Sequence, residues 1–157
     1  MSVAFTREED AESAASHLPD RPISPHPNLV TATGLADLDA ALAAAKEAYA
    51  AAAADKDLQK DRSAMARAIR DLRYYGARRA SAQLLQPDTA GGSVVFGSRV
   101  TFRREETQTF RIVGEDEADA ARGSVSYVSP LAKELMGKVA GDVAMLNGKE
   151  IEILSIE

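Results

Sequence analysis

The feature that most constrains this chain is a seam of small and apolar residues between positions 35 and 52. Leu35, Leu38, Leu42, Ala45, Tyr49 and Ala52 follow one another at steps of three and four. That spacing places them on one stripe of a helix, as a heptad seam requires. Leu58, Met65, Ile69, Leu72 and Gly76 fall on a similar stripe further along. Two such runs joined by a short turn predict an antiparallel coiled-coil hairpin over residues 29–86, with arms of about 20 residues and about 30 Å. Thr33 is placed as the N-cap, and Asp37 favours the early turns through the helix dipole. The alanines at and beside the seam let the two backbones approach closely.

The period then changes. "LLQPDTAGG" ends the helical pattern with Pro87, Gly91 and Gly92. After it, "VVFGSRVTFRR", "TQTFRIVG", "SVSYV", "DVAML" and "KEIEILSI" alternate or run apolar at strand length. Asn147-Gly148 between the last two predicts a type I′ hairpin. "SPLAKELMG" predicts one short helix, with Ser129 as N-cap, Pro130 at the first helical position and Gly137 as the stop. The expected fold class is α+β: the hairpin, then a small β-rich domain with one helix over residues 93–157.

Residues 1–28 read as a disordered leader, since Pro19, Pro22, Pro25 and Pro27 stand among polar residues. His17 and His26, the only histidines, lie in it. The chain has no cysteine, so thiol catalysis, thiolate metal sites and disulfides are excluded. A net charge of −5 argues against binding duplex nucleic acid through bulk charge. The N-terminus is acidic early and lacks an apolar signal core, and no apolar run reaches membrane-spanning length. The expectation is a cytoplasmic monomer that does not engage membranes.

Arg62, Arg67, Arg70, Arg73 and Arg78 fall within about half of the wheel of the second arm. Two readings stay open: a solvated face, or a surface for a polyanion or acidic protein. The turn "AAAADKDLQKDRS" gathers Asp55, Asp57 and Asp61, which read as metal ligands or as an ordinary solvated turn. Glu115, Asp116, Glu117 and Asp119 form an acidic loop without the phased spacing of a calcium site.

"VFGSRVTF", "TFRIVGEDEAD", "SVSYVSPLAKELMGK" and "GDVAML" resemble, in order and spacing, the C-terminal domain of the Gre factors, bacterial transcript-cleavage elongation factors of RNA polymerase. "LVTATGLADLDAAL" and "RDLRYYGARRASAQLL" extend the resemblance into the hairpin. The resemblance implies an FKBP-like C-terminal domain that docks on RNA polymerase through Tyr127, Ser129, Pro130 and Lys133. It implies a coiled coil that enters the secondary channel, where Arg62, Arg67, Arg70 and Arg73 face nascent RNA. In the family, tip acids help hold Mg²⁺ beside the polymerase's own active site, so the factor lends ligands and is not itself an enzyme. No cofactor of the chain's own is implied, only Mg²⁺ in the polymerase active site held in part by Asp55, Asp57 and Asp61.

Two departures weigh against cleavage. Lys60 stands where the family tip has glutamate, with Asp61 one residue late, which on a helix is a rotation of about 100°. Each arm is also about one heptad short. A shortened hairpin resembles the regulator-of-nucleoside-diphosphate-kinase branch of the family. Two alternatives remain: a non-cleaving regulator that acts on a nucleotide kinase or competes with full-length Gre factors, and an FKBP-like prolyl isomerase. The isomerase needs an aromatic-lined pocket, whereas Phe96, Phe102, Phe110 and Tyr127 fall at positions the core requires.

Overall fold

A computed structural model describes residues 18–54 and 62–157. In chain order the elements are β1 (Leu29–Val30), α1 (Ala32–Ala54), α2 (Arg62–Ser81), β2 (Gln83–Leu84), β3 (Arg99–Arg103) and β4 (Thr107–Val113). A 3-10 turn (Ala120–Arg122), β5 (Ser124–Ser126), α3 (Pro130–Leu135), β6 (Val143–Leu146) and β7 (Lys149–Ile156) follow. This is the expected α+β order of helical hairpin and then sheet.

The chain divides into two compact units. One holds His26–Asp37 with Ala82–Glu157, and the other holds the residues up to Pro25 with Leu38–Ser81. The division runs through α1, so the base of the hairpin belongs with the sheet. Residues 26–37 and 82–86, expected in the leader or the hairpin, group with the C-terminal unit.

In the C-terminal unit, five strands are ordered β5-β4-β3-β7-β6. All neighbours are antiparallel except β4 and β5. Alternation decides which face is covered. Val100 and Phe102 of β3 are buried, while Arg99 and Arg103 on either side of them are exposed and Thr101 between them is half-buried. The buried set continues through Ile112, Ala144, Ile151 and Ile153, and α3 adds Ala132 and Leu135. Phe102 and Phe110 stack with centroids 6.1 Å apart. Each fully buried aliphatic or aromatic side chain contributes about 1.5–3 kcal/mol, so this small sheet has a dense apolar centre. Asn147 and Gly148 both take positive φ, 51° and 75°, as a type I′ turn requires.

β1 and β2 form a separate parallel pair, Leu29 opposite Gln83 and Val30 opposite Leu84. Two further backbone bonds extend it, Gln83 N to Asn28 O at 2.8 Å and Leu85 N to Val30 O at 3.0 Å. Gly114 admits this pair: a Cβ there would lie 2.2 Å from the Leu29 carbonyl oxygen.

In the helical unit, Leu38, Ala45 and Ala52 are buried at seven-residue steps, as the seam predicts. Leu42 is half-buried, but Tyr49 is exposed. In α2 the positions expected on the seam, Met65, Ile69, Leu72 and Gly76, are only half-buried, and the buried residues are Ala68 and Arg78. Leu58 lies outside the described residues. An ion pair links the arms, Arg79 Nε to Asp39 Oδ1 at 2.5 Å.

Candidate functional site

The segment from Tyr127 to Lys138 is built as the sequence suggests. Ser129 adopts an extended conformation and its hydroxyl accepts the Ala132 N–H at 3.2 Å. Pro130 starts the helix, where its missing N–H costs nothing. The Met136 N–H closes the far end on the Ala132 carbonyl, and Gly137 leaves it with φ of 82°. The Gly137 N–H then bonds the Val94 carbonyl at 2.8 Å. Ala132 and Leu135 face the core, which turns Pro130, Lys133 and Glu134 outward.

The four residues expected at a docking surface therefore split into two kinds. Pro130 and Lys133 are exposed and three apart, on one side of α3. Tyr127 and Ser129 are half-buried and hold the surface in shape. The Tyr127 ring meets Phe96 edge-on at 5.8 Å, and its hydroxyl donates to the Pro27 carbonyl. Beyond the helix, Met136 and Val139 extend the exposed surface with apolar side chains.

The acidic loop is tied to the start of α1 through Glu117. Glu117 Oε2 accepts the Thr31 hydroxyl at 2.6 Å, 86 residues away in sequence. The Thr31 Oγ1 in turn accepts the Gly34 N–H at 3.0 Å. Thr31, not Thr33, is thus the N-cap of α1. Asp37 lies beyond the first turn, which holds no acid. Glu117 supplies the negative charge that the helix N-terminus favours. Gly34 makes room for it, since a Cβ there would lie 2.6 Å from that carboxylate oxygen. Asp119 caps the 3-10 turn by accepting the Ala121 N–H at 3.1 Å. Asp116 is exposed and Glu115 half-buried.

The arginine face of α2 is not bare. Residues 18–25, expected to be disordered, have a defined course along it. Asp20 Oδ1 accepts from Arg73 Nη1 at 3.2 Å. The Arg21 guanidinium sits 3.8 Å from the Tyr74 ring centroid and 5.1 Å from that of Tyr75. It also pairs with Asp71 at 3.5 Å. A hydrogen bond to the Tyr75 side chain is the main cause holding Arg21 above its ordinary pKa range. Leu18 and Asp20 border one hollow with Ala66, Ile69, Arg70 and Arg73. Asp20, Arg21 and Ile23 border a second with Arg73, Tyr74 and Ala77. Of the arginines expected to face an anion, Arg62, Arg67 and Arg73 are exposed and Arg70 is half-buried. Arg78, at the edge of the same arc, is only 2% exposed and leaves that face.

Asp55, Asp57 and Asp61 lie outside the described residues, as does His17. Among the described residues, no three His, Asp or Glu side chains gather as a metal site. No described helix is long and apolar enough to cross a membrane.

The tie of Thr31 and Gly34 to Glu117 and, separately, the seat of Arg21 on Tyr74 were not singled out by the sequence. The only local signal was "TATG", where a threonine precedes glycine by three positions, the spacing of a cap and the N–H it accepts.

Comparison with known proteins fixes the relationship. Residues 88–157 match the family described as transcription elongation factor, GreA/GreB, C-term. The chain is 41% identical over 90 residues to transcription elongation factor GreA of Thioalkalivibrio sulfidiphilus, covering 52% of this chain and 57% of that one. It is 44% identical over 82 residues to the GreA of Paracoccus denitrificans, covering 48% and 53%. The chain thus spans about half the length of the curated relatives it matches. Among solved structures, the GreA factor homolog 1 (Gfh1) protein of Thermus thermophilus is 20% identical over 84% of this chain and 99% of that one. Its TM-score is 0.37, too low to carry an argument. Through residues 88–157 this chain is similar to the C-terminal domain of the GreA/GreB transcription elongation factors.

Proposed function

We propose that this chain regulates transcription elongation by docking on RNA polymerase through its C-terminal unit and inserting its hairpin into the secondary channel. The observation that carries this reading is the surface around α3. It lies within the segment matched to the GreA/GreB C-terminal domain and presents Pro130 and Lys133 outward on a capped, core-anchored helix. Tyr127 and Ser129 serve this surface by fixing its geometry. The exposed arginines of α2 face nascent RNA in the channel.

The hairpin acts as a plug or probe and does not stimulate cleavage. Arms of 23 and 20 residues reach about 30–35 Å at 1.5 Å per residue. Lys60 occupies the place of the family's tip glutamate. In this reading Asp55, Asp57 and Asp61 hold no catalytic Mg²⁺.

The test is co-purification with core RNA polymerase. The native chain is expected to be retained. Pro130→Arg inserts a bulky charge on the docking face and is expected to weaken retention at least tenfold, about 1.4 kcal/mol. Equal retention of both forms ends the docking reading. In backtracked elongation complexes with Mg²⁺, the chain is expected to leave the RNA intact. Release of short 3′ fragments, lost when Asp55, Asp57 and Asp61 become alanine, restores the cleavage reading.

A further inference from the structure

The leader holds α2 in a way that suits a resident ligand better than a structural brace. Ala66, Arg70, Arg73, Tyr74 and Ala77 are spaced by four, three, one and three residues and share one side of the helix. They border the leader, flanked by Ile69, Asp71 and Tyr75, which also meet it. The leader therefore lies along the side that carries Arg70 and Arg73.

The leader is suited to lying there. Pro19, Pro22 and Pro25 recur every third residue, which favours an extended polyproline-like course with three residues per turn. Such a course puts the prolines on one edge, Leu18 with Arg21 on a second and Asp20 with Ile23 on the third. All three prolines are exposed, while the other four residues are those that border α2. The lengths also agree. Leu18 to Ile23 spans about 16 Å at 3.1 Å per residue, and Ala66 to Ala77 about 16 Å at 1.5 Å per residue.

The cover is imperfect. Arg70 Nε is buried with no hydrogen-bond partner and lies 3.7 Å from Asp71 Oδ1. A buried donor left unpaired penalises the closed arrangement. The contacts that hold it are a guanidinium on an aromatic face and ion pairs that stay solvent-exposed, each individually weak.

We propose that residues 18–23 form an intramolecular strap that occupies a single-stranded RNA site on α2, so that RNA binds there only when the strap lifts. This rests on the RNA-facing reading of the arginine face given above. The chemistry under the strap selects the ligand. Arg21 covers the face of Tyr74, where a base stacks once the guanidinium leaves. Asp20 occupies Arg73, which otherwise meets a phosphate. An aromatic face beside arginines at helical spacing suits a single strand, which supplies a base to stack and a phosphate to pair at each nucleotide.

Arg21→Ala in the full chain tests this with opposed signs. The substitution makes the chain one charge more negative, so bulk electrostatics alone predicts weaker RNA binding. Loss of the strap's anchor predicts tighter binding. The probe is a fluorescein-labelled oligouridylate read by fluorescence anisotropy, with helicity checked by circular dichroism. Arg21→Ala is expected to bind about five- to tenfold more tightly than the native chain. Adding Tyr74→Ala to Arg21→Ala is expected to remove most of that gain, and Arg70→Ala with Arg73→Ala to weaken every form. Unchanged or weaker binding by Arg21→Ala, with the arginine dependence intact, overturns the strap and leaves the RNA-facing surface standing. Absence of any arginine dependence overturns both. Neither outcome touches the Pro130-dependent docking on polymerase, which is measured separately.

Discussion

The two units are held together by different physics. In the C-terminal unit the interior is made of Phe102, Ile112, Leu135, Ile151 and Ile153, all within 1% of complete burial. Among the described residues of the helical unit, the buried apolar ones are Leu38 and three alanines. An alanine buries one methyl group, so its share of the hydrophobic stabilisation is a fraction of that of isoleucine. The helical unit supplements it with ion pairs and an arginine on tyrosine. The lesson is a division of labour. Under the proposed function, the docking surface sits on the dense core, and the inserted part rests on smaller buried side chains and exposed ion pairs.

The largest test of this contrast is Leu135→Ala. It opens a cavity under α3 and is expected to cost about 3–4 kcal/mol in urea unfolding. Polymerase retention is expected to fall with it, because Pro130 and Lys133 lose their support. A loss under 1 kcal/mol means the sheet core is looser than its burial implies. Gly114→Ala is next. Its methyl group would meet the Leu29 carbonyl oxygen, and the pairing of β1 with β2 must shift. The expected cost is about 2–3 kcal/mol. Slowed exchange of the Leu85 amide, which bonds Val30, is expected to be lost as well. Native-like protection of that amide refutes the packing argument. Smallest is Asp39→Ala, which breaks the pair with Arg79. Both side chains are substantially exposed, so the expected cost is about 0.5 kcal/mol, shrinking further at high salt. A loss above 2 kcal/mol removes the distinction between the two units.

Local rules were legible in the sequence wherever the deciding atoms are close together in the chain. Ser129, Pro130 and Gly137 state the start and end of α3, and Asn147-Gly148 states its turn. The five strands follow from alternation. What was not legible depends on partners far apart. Thr31 and Thr33 are equally good caps by composition, and the choice is made by Glu117, which only the folded chain brings near. Arg78 shares an arc with four other arginines, and a helical wheel does not record which neighbours cover it. Leader composition argued for disorder because it averages over residues. The three-residue spacing of its prolines, and the tyrosine pair that receives Arg21, were both in the sequence but in different segments. On α3, the outward placement of Pro130 and Lys133 was legible from the helix pattern. That Tyr127 and Ser129 shape the surface from within was not.

The parallel pairing of Leu29–Val30 with Gln83–Leu84 has a consequence for how such chains diverge. It fixes the departure and return points of the hairpin side by side, about 4.8 Å apart. Everything between them is an excursion with clamped ends. Residues added to one arm alone put the other arm out of step at the clamp, whereas equal additions to both leave it untouched. Hairpin length is thus a quantity that changes in matched increments, with the heptad as its natural unit. A lineage can shorten or extend its hairpin by a whole step and keep the same C-terminal unit.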